Sequence, residues 1–237
     1  MCLKRIFVCA FSLQFVFFVS AQTSNENVYD WFDSFVGDEN AELYNGVIFV
    51  DEFKVTNDKH RFFKTDDFIQ GSVSYNGNTF YNHQLKYDLF KDELLIKPKT
   101  ASSALILQIV KNKIDSFSLK EKKFVNIITS RTNDSKSEFY EKFFKYKSIT
   151  ILKKHYSLNK GKTDEKLFYE FRYKSNFFLQ YKDVVYPADT QSNIIAIFPD
   201  QKKDIKKIYR KNKILRKSNP NSFMQYLIRQ LEIFHTD

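Results

Sequence analysis

Alternation of apolar and polar residues dominates the middle of the chain. In "GSVSYNGNTFYNHQLKYDLF", Val73 and Tyr75 precede Asn76-Gly77, and Phe80, Leu85, Tyr87 and Leu89 follow it, with polar neighbours between them. A period of two sends successive side chains to opposite faces, which is the signature of a half-buried strand. Asn76-Gly77 is the strongest short hairpin signal, because a type I′ turn needs positive φ at both central residues. Lys91-Asp92 predicts the next turn, and Leu94 to Lys97 the next strand, closed by Pro98. "LILQIVKNKIDSFSLKEKKFVNII" repeats the scheme, with turns near Asn112-Lys113 and Lys120-Glu121. "EFYEKFFKYKSITILKKHYSL" and "KLFYEFRYKSNFFLQYKDVVYPA" add four more short strands. Strands at this spacing predict an antiparallel meander, flat or curled into a half-barrel, rather than βαβ units.

The period changes to helical at both ends. "NVYDWFDSFVG" places Val28, Trp31, Phe32, Phe35 and Val36 on one face, with Gly37 as a stop, predicting a short N-terminal helix that could cover the sheet. "FPDQKKDIKKIYRKN" offers Asp200 as an N-cap after Pro199, with Ile205, Ile208 and Tyr209 forming a narrow apolar stripe. "KILRKS" then reads as a joint. Asn219 caps a second helix with Pro220 in its first position, where Met224, Leu227, Ile228, Leu231 and Phe234 form a wider stripe. The predicted architecture is therefore mainly β, of the α+β kind. A sheet over about residues 43–190 is followed by two C-terminal amphipathic helices over about 199–237, all in one domain.

Ahead of that domain, Lys4 and Arg5 precede an apolar segment from Ile6 to Val19, and Val19 and Ala21 occupy the −3 and −1 positions before Gln22. This is the layout of a secretory signal peptide spanning 1–21, and the apolar segment is shorter than the ~20 residues a spanning helix needs. The expectation is an exported protein, periplasmic or extracellular, with no membrane span in its mature chain. Cys2 and Cys9 are the only cysteines and leave with the signal, so disulfides, thiolate metal sites and cysteine nucleophiles are excluded from the mature protein. Stability must come from a hydrophobic core.

Charge divides the chain. Residues 22–100 carry 8 basic and 14 acidic side chains, whereas 101–237 carry 28 and 14. "KKDIKKIYRKNKILRK" (202–217) alone packs nine cations around one acid. Nucleic acid is an unfavourable partner all the same. The chain has 31 Lys against 7 Arg, whereas phosphate and base readers lean on the bidentate guanidinium. AT-rich coding explains the bias in Lys, Asn, Ile, Phe and Tyr more simply. The stretch reads first as a solvated helix face and second as a partner contact through Lys203, Lys207 and Arg210.

Four blocks bear on kinship: "LYNG" (43–46), "GSVSYNGNTFYNHQLKYDLFKDELLIK" (71–97), "FYEKFFKYKSITILKK" (139–154) and "FPDQKKDIKKIYRKNKI" (198–214). Together they resemble a family of uncharacterised, signal-peptide-bearing proteins of Bacteroidota-type bacteria, and cover most of the mature chain. The chain departs from that pattern where Tyr146-Lys147 replaces a hairpin glycine. The resemblance implies export, a β-rich fold and this order of elements, and it implies no activity.

Candidate chemistry is sparse. His60, His83, His155 and His235 never fall at H-x-x-x-H or H-x-H spacing, so no metal ligand set is assigned. There is no G-x-S-x-G elbow, P-loop or dinucleotide fingerprint, and no cofactor is expected. The acid pairs in "TDD" (65–67) and "KDEL" (91–94) suit turns better than glycosidase catalysis. No catalytic residue is assigned. The aromatic load, 26 Phe and 14 Tyr, fits either a core or an apolar groove for a ligand. The leading expectation is a non-enzymatic envelope protein that binds a lipid, a peptide or a protein partner through a curved sheet. In that reading Trp31, Phe32 and Phe35 form the candidate cover. The competing expectation is a hydrolase of envelope carbohydrate or lipid with acidic catalysts; acids converging in one cleft would favour it, and an apolar concavity without them would favour the binder.

Overall fold

The computed structural model describes residues 42–55, 59–98, 105–130, 135–163 and 168–233. The predicted signal peptide and the predicted N-terminal helix, with Trp31, Phe32 and Phe35, lie outside them, as do Phe234 and His235.

Eleven strands form one antiparallel sheet: β1 (Val47–Ile48), β2 (Ile69–Tyr75), β3 (Asn78–Asp88), β4 (Glu93–Lys97), β5 (Leu107–Gln108), β6 (Ile114–Leu119), β7 (Lys122–Ser130), β8 (Ser135–Tyr146), β9 (Ile149–Thr163), β10 (Phe168–Tyr181) and β11 (Val184–Pro187). Their order is β1-β5-β4-β3-β2-β6-β7-β8-β9-β10-β11, so the meander is broken twice: β1 lies beside β5 rather than β2, and β6 returns beside β2. The turns follow the residues. Asn76-Gly77 joins β2 to β3 with φ of 50° and 80°, the positive pair its sequence demands. Lys182-Asp183 turns β10 into β11 with φ of 50° and 60° and no glycine to ease it. At Tyr146-Lys147 the hairpin closes tightly without its glycine, Lys147 taking φ of 47°.

The strands predicted as four short ones after residue 137 are instead three long ones of 12, 15 and 14 residues and one of 4. Length follows from curvature. Tyr87 of β3 and Phe139 of β8 stand four strands apart in the sheet, which a flat sheet would separate by ~19 Å, yet their rings lie 5.8 Å apart. The sheet is therefore strongly curled. Its concave face holds a first core that includes Val73, Leu85, Tyr87, Leu94, Ile96, Phe117, Phe124 and Phe139.

Past Pro187 the chain forms four helices rather than the two predicted: α1 (Gln191–Ile197), α2 (Lys202–Lys211), α3 (Lys213–Ser218) and α4 (Pro220–Ile233). The first is nucleated by a capping box in which the Thr190 side chain accepts from the Asn193 backbone and the Asn193 side chain accepts from that of Thr190. "KILRKS", expected as a joint, is itself the helix α3. Asp200 does not cap α2. Pro199–Gln201 forms a 3-10 turn, and Gln201 is drawn inward to donate to the Leu231 carbonyl at 3.3 Å. Asn219 caps α4 as its sequence predicts, accepting from Ser222 N at 3.0 Å. Ile205, Ile208 and Tyr209 of α2 and Phe223, Met224, Leu227, Ile228 and Leu231 of α4 pack with Ile149, Ile151 and Leu179 of the sheet as a second core.

Candidate functional site: a cavity where two strands part

β8 and β9 pair from Tyr146 and Ile149 as far as Glu141 and Lys153. Beyond that point β8 continues with β7 alone and β9 with β10 alone. The β3–β4 turn fills part of the fork. Leu89 O accepts from Ser157 N at 3.2 Å, and Asp92 Oδ2 accepts from Lys154 Nζ at 2.7 Å and from Lys111 Nζ at 2.6 Å. On the concave side, between the first core and the helices, a cavity of about 550 Å³ opens at the same place.

Register dictates its floor. Residues alternate along β9, so Ile149 and Ile151 enter the helix-covered core and Lys153 and His155 come next on the same face. Glu141 lies directly opposite Lys153 on β8. Register shifts between Lys142 and Phe144, inserting Phe143 as an extra residue whose ring turns to Phe177 at 6.2 Å and lines the cavity. Bulges of this kind re-aim side chains beside sites. Phe63 closes the inner wall with its ring 5.1 Å from both His155 and Phe124. Phe62, Phe171 and Tyr173 complete the aromatic lining, and Asn221 reaches in from the first turn of α4.

The polar floor is ordered. Glu141, 3% exposed, accepts from Lys122 Nζ at 2.7 Å and from His155 Nε2 at 2.7 Å. Burial works to raise the Glu141 carboxyl, but the hydrogen bonds from His155 and Lys122 outweigh it and hold its pKa at about 2. Burial also presses the His155 imidazole below its ordinary 6.5, with Glu141 opposing. His155 is then neutral near pH 7, donates from Nε2 to Glu141, and accepts at Nδ1 from Tyr173 Oη at 2.7 Å. Lys153 Nζ donates to Asn221 Oδ1 at 3.1 Å and lies 5.2 Å from the centres of the Phe143 and Phe177 rings. Burial lowers the pKa of its amine as well.

Tyr173, His155 and Glu141 have the connectivity of an acid–base relay, with a phenol at the outer end. Burial raises the Tyr173 phenol above its ordinary value, so at neutral pH it is a hydrogen-bond donor and a poor nucleophile. The cavity thus presents a wall of rings, a phenol at the mouth and cations at the floor.

A strap crosses above. Arg61, 1% exposed, donates through Nε to Asp88 at 2.6 Å and through Nη1 to Asp51 at 2.9 Å. Phe53 and Phe62 flank its guanidinium at 4.8 and 4.5 Å. Phe63 N bonds to Tyr87 O and Phe171 N to Lys59 O, so the segment joins β3 to β10.

Of the predicted contact residues, Lys203, Lys207 and Arg210 stand exposed on α2, opposite its buried stripe, and none lines the cavity. Asp66, Asp67 and Asp92 are turn residues, as expected, whereas Glu93 opens β4: Thr65 and Asp67 bond each other, Asp66 pairs with Lys86, and Asp92 anchors the fork. His60 and His155, remote in sequence, meet at the cavity wall; among the described residues no group of three or more His, Cys, Asp or Glu side chains is arranged to hold a metal ion. Sequence reading missed Glu141, Lys153, His155 and Tyr173. The available signal was in "ITILKKHYS", where the inward set runs Ile149, Ile151, Lys153, His155, turning polar midway along a buried face. No helix among the described residues is long and apolar enough to cross a membrane. No family model, curated protein or solved structure matches the chain.

Proposed function

We propose that this is an exported, non-enzymatic binding protein whose cavity takes a lipid-class ligand. The observation that carries the proposal is an aromatic-walled space of about 550 Å³ lined, among the described residues, by a single carboxylate, Glu141, which is paired with Lys122 and hydrogen-bonded by His155. The volume lies within the ~300–1,000 Å³ typical of small-molecule sites, and the mix of rings with few convergent polar groups is typical of them too. The hydrolytic reading asks for two carboxyl groups flanking a substrate. Among the described residues the lining supplies no second one. Export is supported by the n-region, apolar segment and small-residue cleavage site of residues 1–21.

Trp31 is the only tryptophan of the chain, and with Phe32 and Phe35 it is the proposed cover of the concave face. Mature protein is titrated with a panel of single-chain lipids below their micelle concentrations, following Trp31 emission and melting temperature. A ligand at about 100 times its dissociation constant adds ~2.7 kcal/mol by mass action. A shift in both signals supports binding. No response in either signal across the panel removes the ligand reading and leaves the Lys203, Lys207 and Arg210 face as the partner contact.

A further inference from the structure

Lys153 is 9% exposed, and among the described residues no carboxylate lies within ion-pair distance of it. Its one hydrogen-bond acceptor is the neutral Asn221 amide, 3.1 Å away, and two phenylalanine rings take up the rest of its surroundings. Buried ammonium groups are otherwise found paired, because desolvation without a counter-ion is costly. Glu141 opposes the burial of Lys153 only at longer range, its two oxygens being bonded to Lys122 and His155.

A charge count across the cavity gives the same result. Lys122 and Lys153 bring two positive charges, Glu141 brings one negative charge, and His155 is neutral near pH 7. At the rim, Lys59 is bridged to Glu170 at 2.7 Å, and Lys64 adds an exposed cation 5.5 Å from the centre of the Phe63 ring. The interior is left with one positive charge in excess, at Lys153. The Lys153 amine also lies beside the first turn of α4, whose positive dipole end favours an anion in the same place.

We infer that the ligand is an acidic amphiphile, whose single anionic head group pairs with Lys153 beside Asn221 while its chain lies along Phe62, Phe63, Phe143 and Phe171. This rests on the ligand-binding reading above and specifies the ligand's charge and its orientation. The head group is a carboxylate or a phosphate monoester; either satisfies the ammonium as a charge-assisted acceptor.

The test is a calorimetric titration of the full mature chain with palmitate, hexadecanol and palmitoyl-lysophosphatidate, all below their micelle concentrations. Wild type should bind at least one of the two acids about tenfold or more tighter than hexadecanol, and the tighter acid identifies the head group. Lys153→Met should weaken that acid by about 10- to 100-fold, the worth of a charged hydrogen bond, and leave hexadecanol unchanged. Lys153→Arg should restore most of the preference. Asn221→Asp places a carboxylate where the head group would sit, at an exposed helix start that tolerates it. It should raise the melting temperature by about 2–4 °C and weaken the acids while leaving hexadecanol alone. Equal affinity of wild type for acid and alcohol, or an acid preference that survives both Lys153→Met and Asn221→Asp, overturns the inference while the cavity remains a ligand site. Failure of wild type to bind any of the three overturns both readings.

Discussion

At Glu141 one carboxylate receives two donors inside an aromatic wall, and its ionisation is tied to folding. Its pKa in the folded state is about 2 against an ordinary 4.5. A carboxyl depressed on folding contributes stability that is fully present above its unfolded value and is lost as pH falls toward the folded one. The Glu141 contribution, on the order of 3 kcal/mol, should therefore disappear between pH 4.5 and about 2. His155 is also depressed, so the unfolded chain binds its proton first, and stability begins to fall once pH drops below 6.5. Urea midpoints measured from pH 8 to pH 2 should decline in these two windows. Glu141→Gln keeps an acceptor for His155 and should flatten the lower window relative to wild type. An identical pH profile in the variant would contradict the assignment.

The elements place these residues, and two of them make separate predictions. The strap depends on Arg61, whose partner Asp88 is fully buried and also accepts from Phe90 N and Lys91 N at 2.9 and 3.1 Å. Arg61→Met would leave that carboxylate unpaired, at a cost of about 3–5 kcal/mol, read as a lower urea midpoint. A loss under ~1 kcal/mol would mean that the backbone bonds of the strap suffice. The Lys182-Asp183 turn holds two L-residues at positive φ, each disfavoured by roughly 1 kcal/mol. Asp183→Gly should raise stability by about 0.5–1 kcal/mol in the same measurement, and a decrease would mean that the Asp183 side chain has a role of its own.

Elements of this kind differed in how far they could be read from sequence. The turn of the β2–β3 hairpin was legible because Asn76-Gly77 sets its geometry locally, whereas the register shift between Gly71 and Val73, with Asn82 opposite at φ of 57°, was not. The α4 stripe was legible through Met224, Leu227, Ile228 and Leu231, which recur at helical spacing, although Phe223 on the same buried face was not read as part of it. α1 was overlooked although "TQSN" contains its capping box, because seven residues give too little periodicity to register.

For the whole molecule, curvature was the hidden quantity. Period-two alternation specifies which face of a strand is buried, and says nothing of how tightly eleven strands curl or where two of them part. The cavity exists because β8 and β9 separate after Glu141 and Lys153, with a turn from β3–β4 wedged between them. Those contacts are remote in sequence, so Glu141, Lys153, His155 and Tyr173 read as scattered polar residues until the sheet was closed around them. The basic excess was legible, yet its exposed share on α2 is separate from the buried cation that bears on the ligand. Polyanion binding through Lys203, Lys207 and Arg210 should weaken steeply with salt, as counterion release requires, and binding that resists salt would contradict a merely electrostatic face.

The central claim, that the cavity beside the first core takes a ligand, is tested most directly by native mass spectrometry of residues 22–237 incubated with palmitate or palmitoyl-lysophosphatidate. The account predicts one bound acid per chain at saturation, lost in Lys153→Met and retained in the α2 surface variant Lys203→Ala. Absence of any adduct, or a ladder of two, three and more bound lipids unaffected by Lys153→Met, would contradict it.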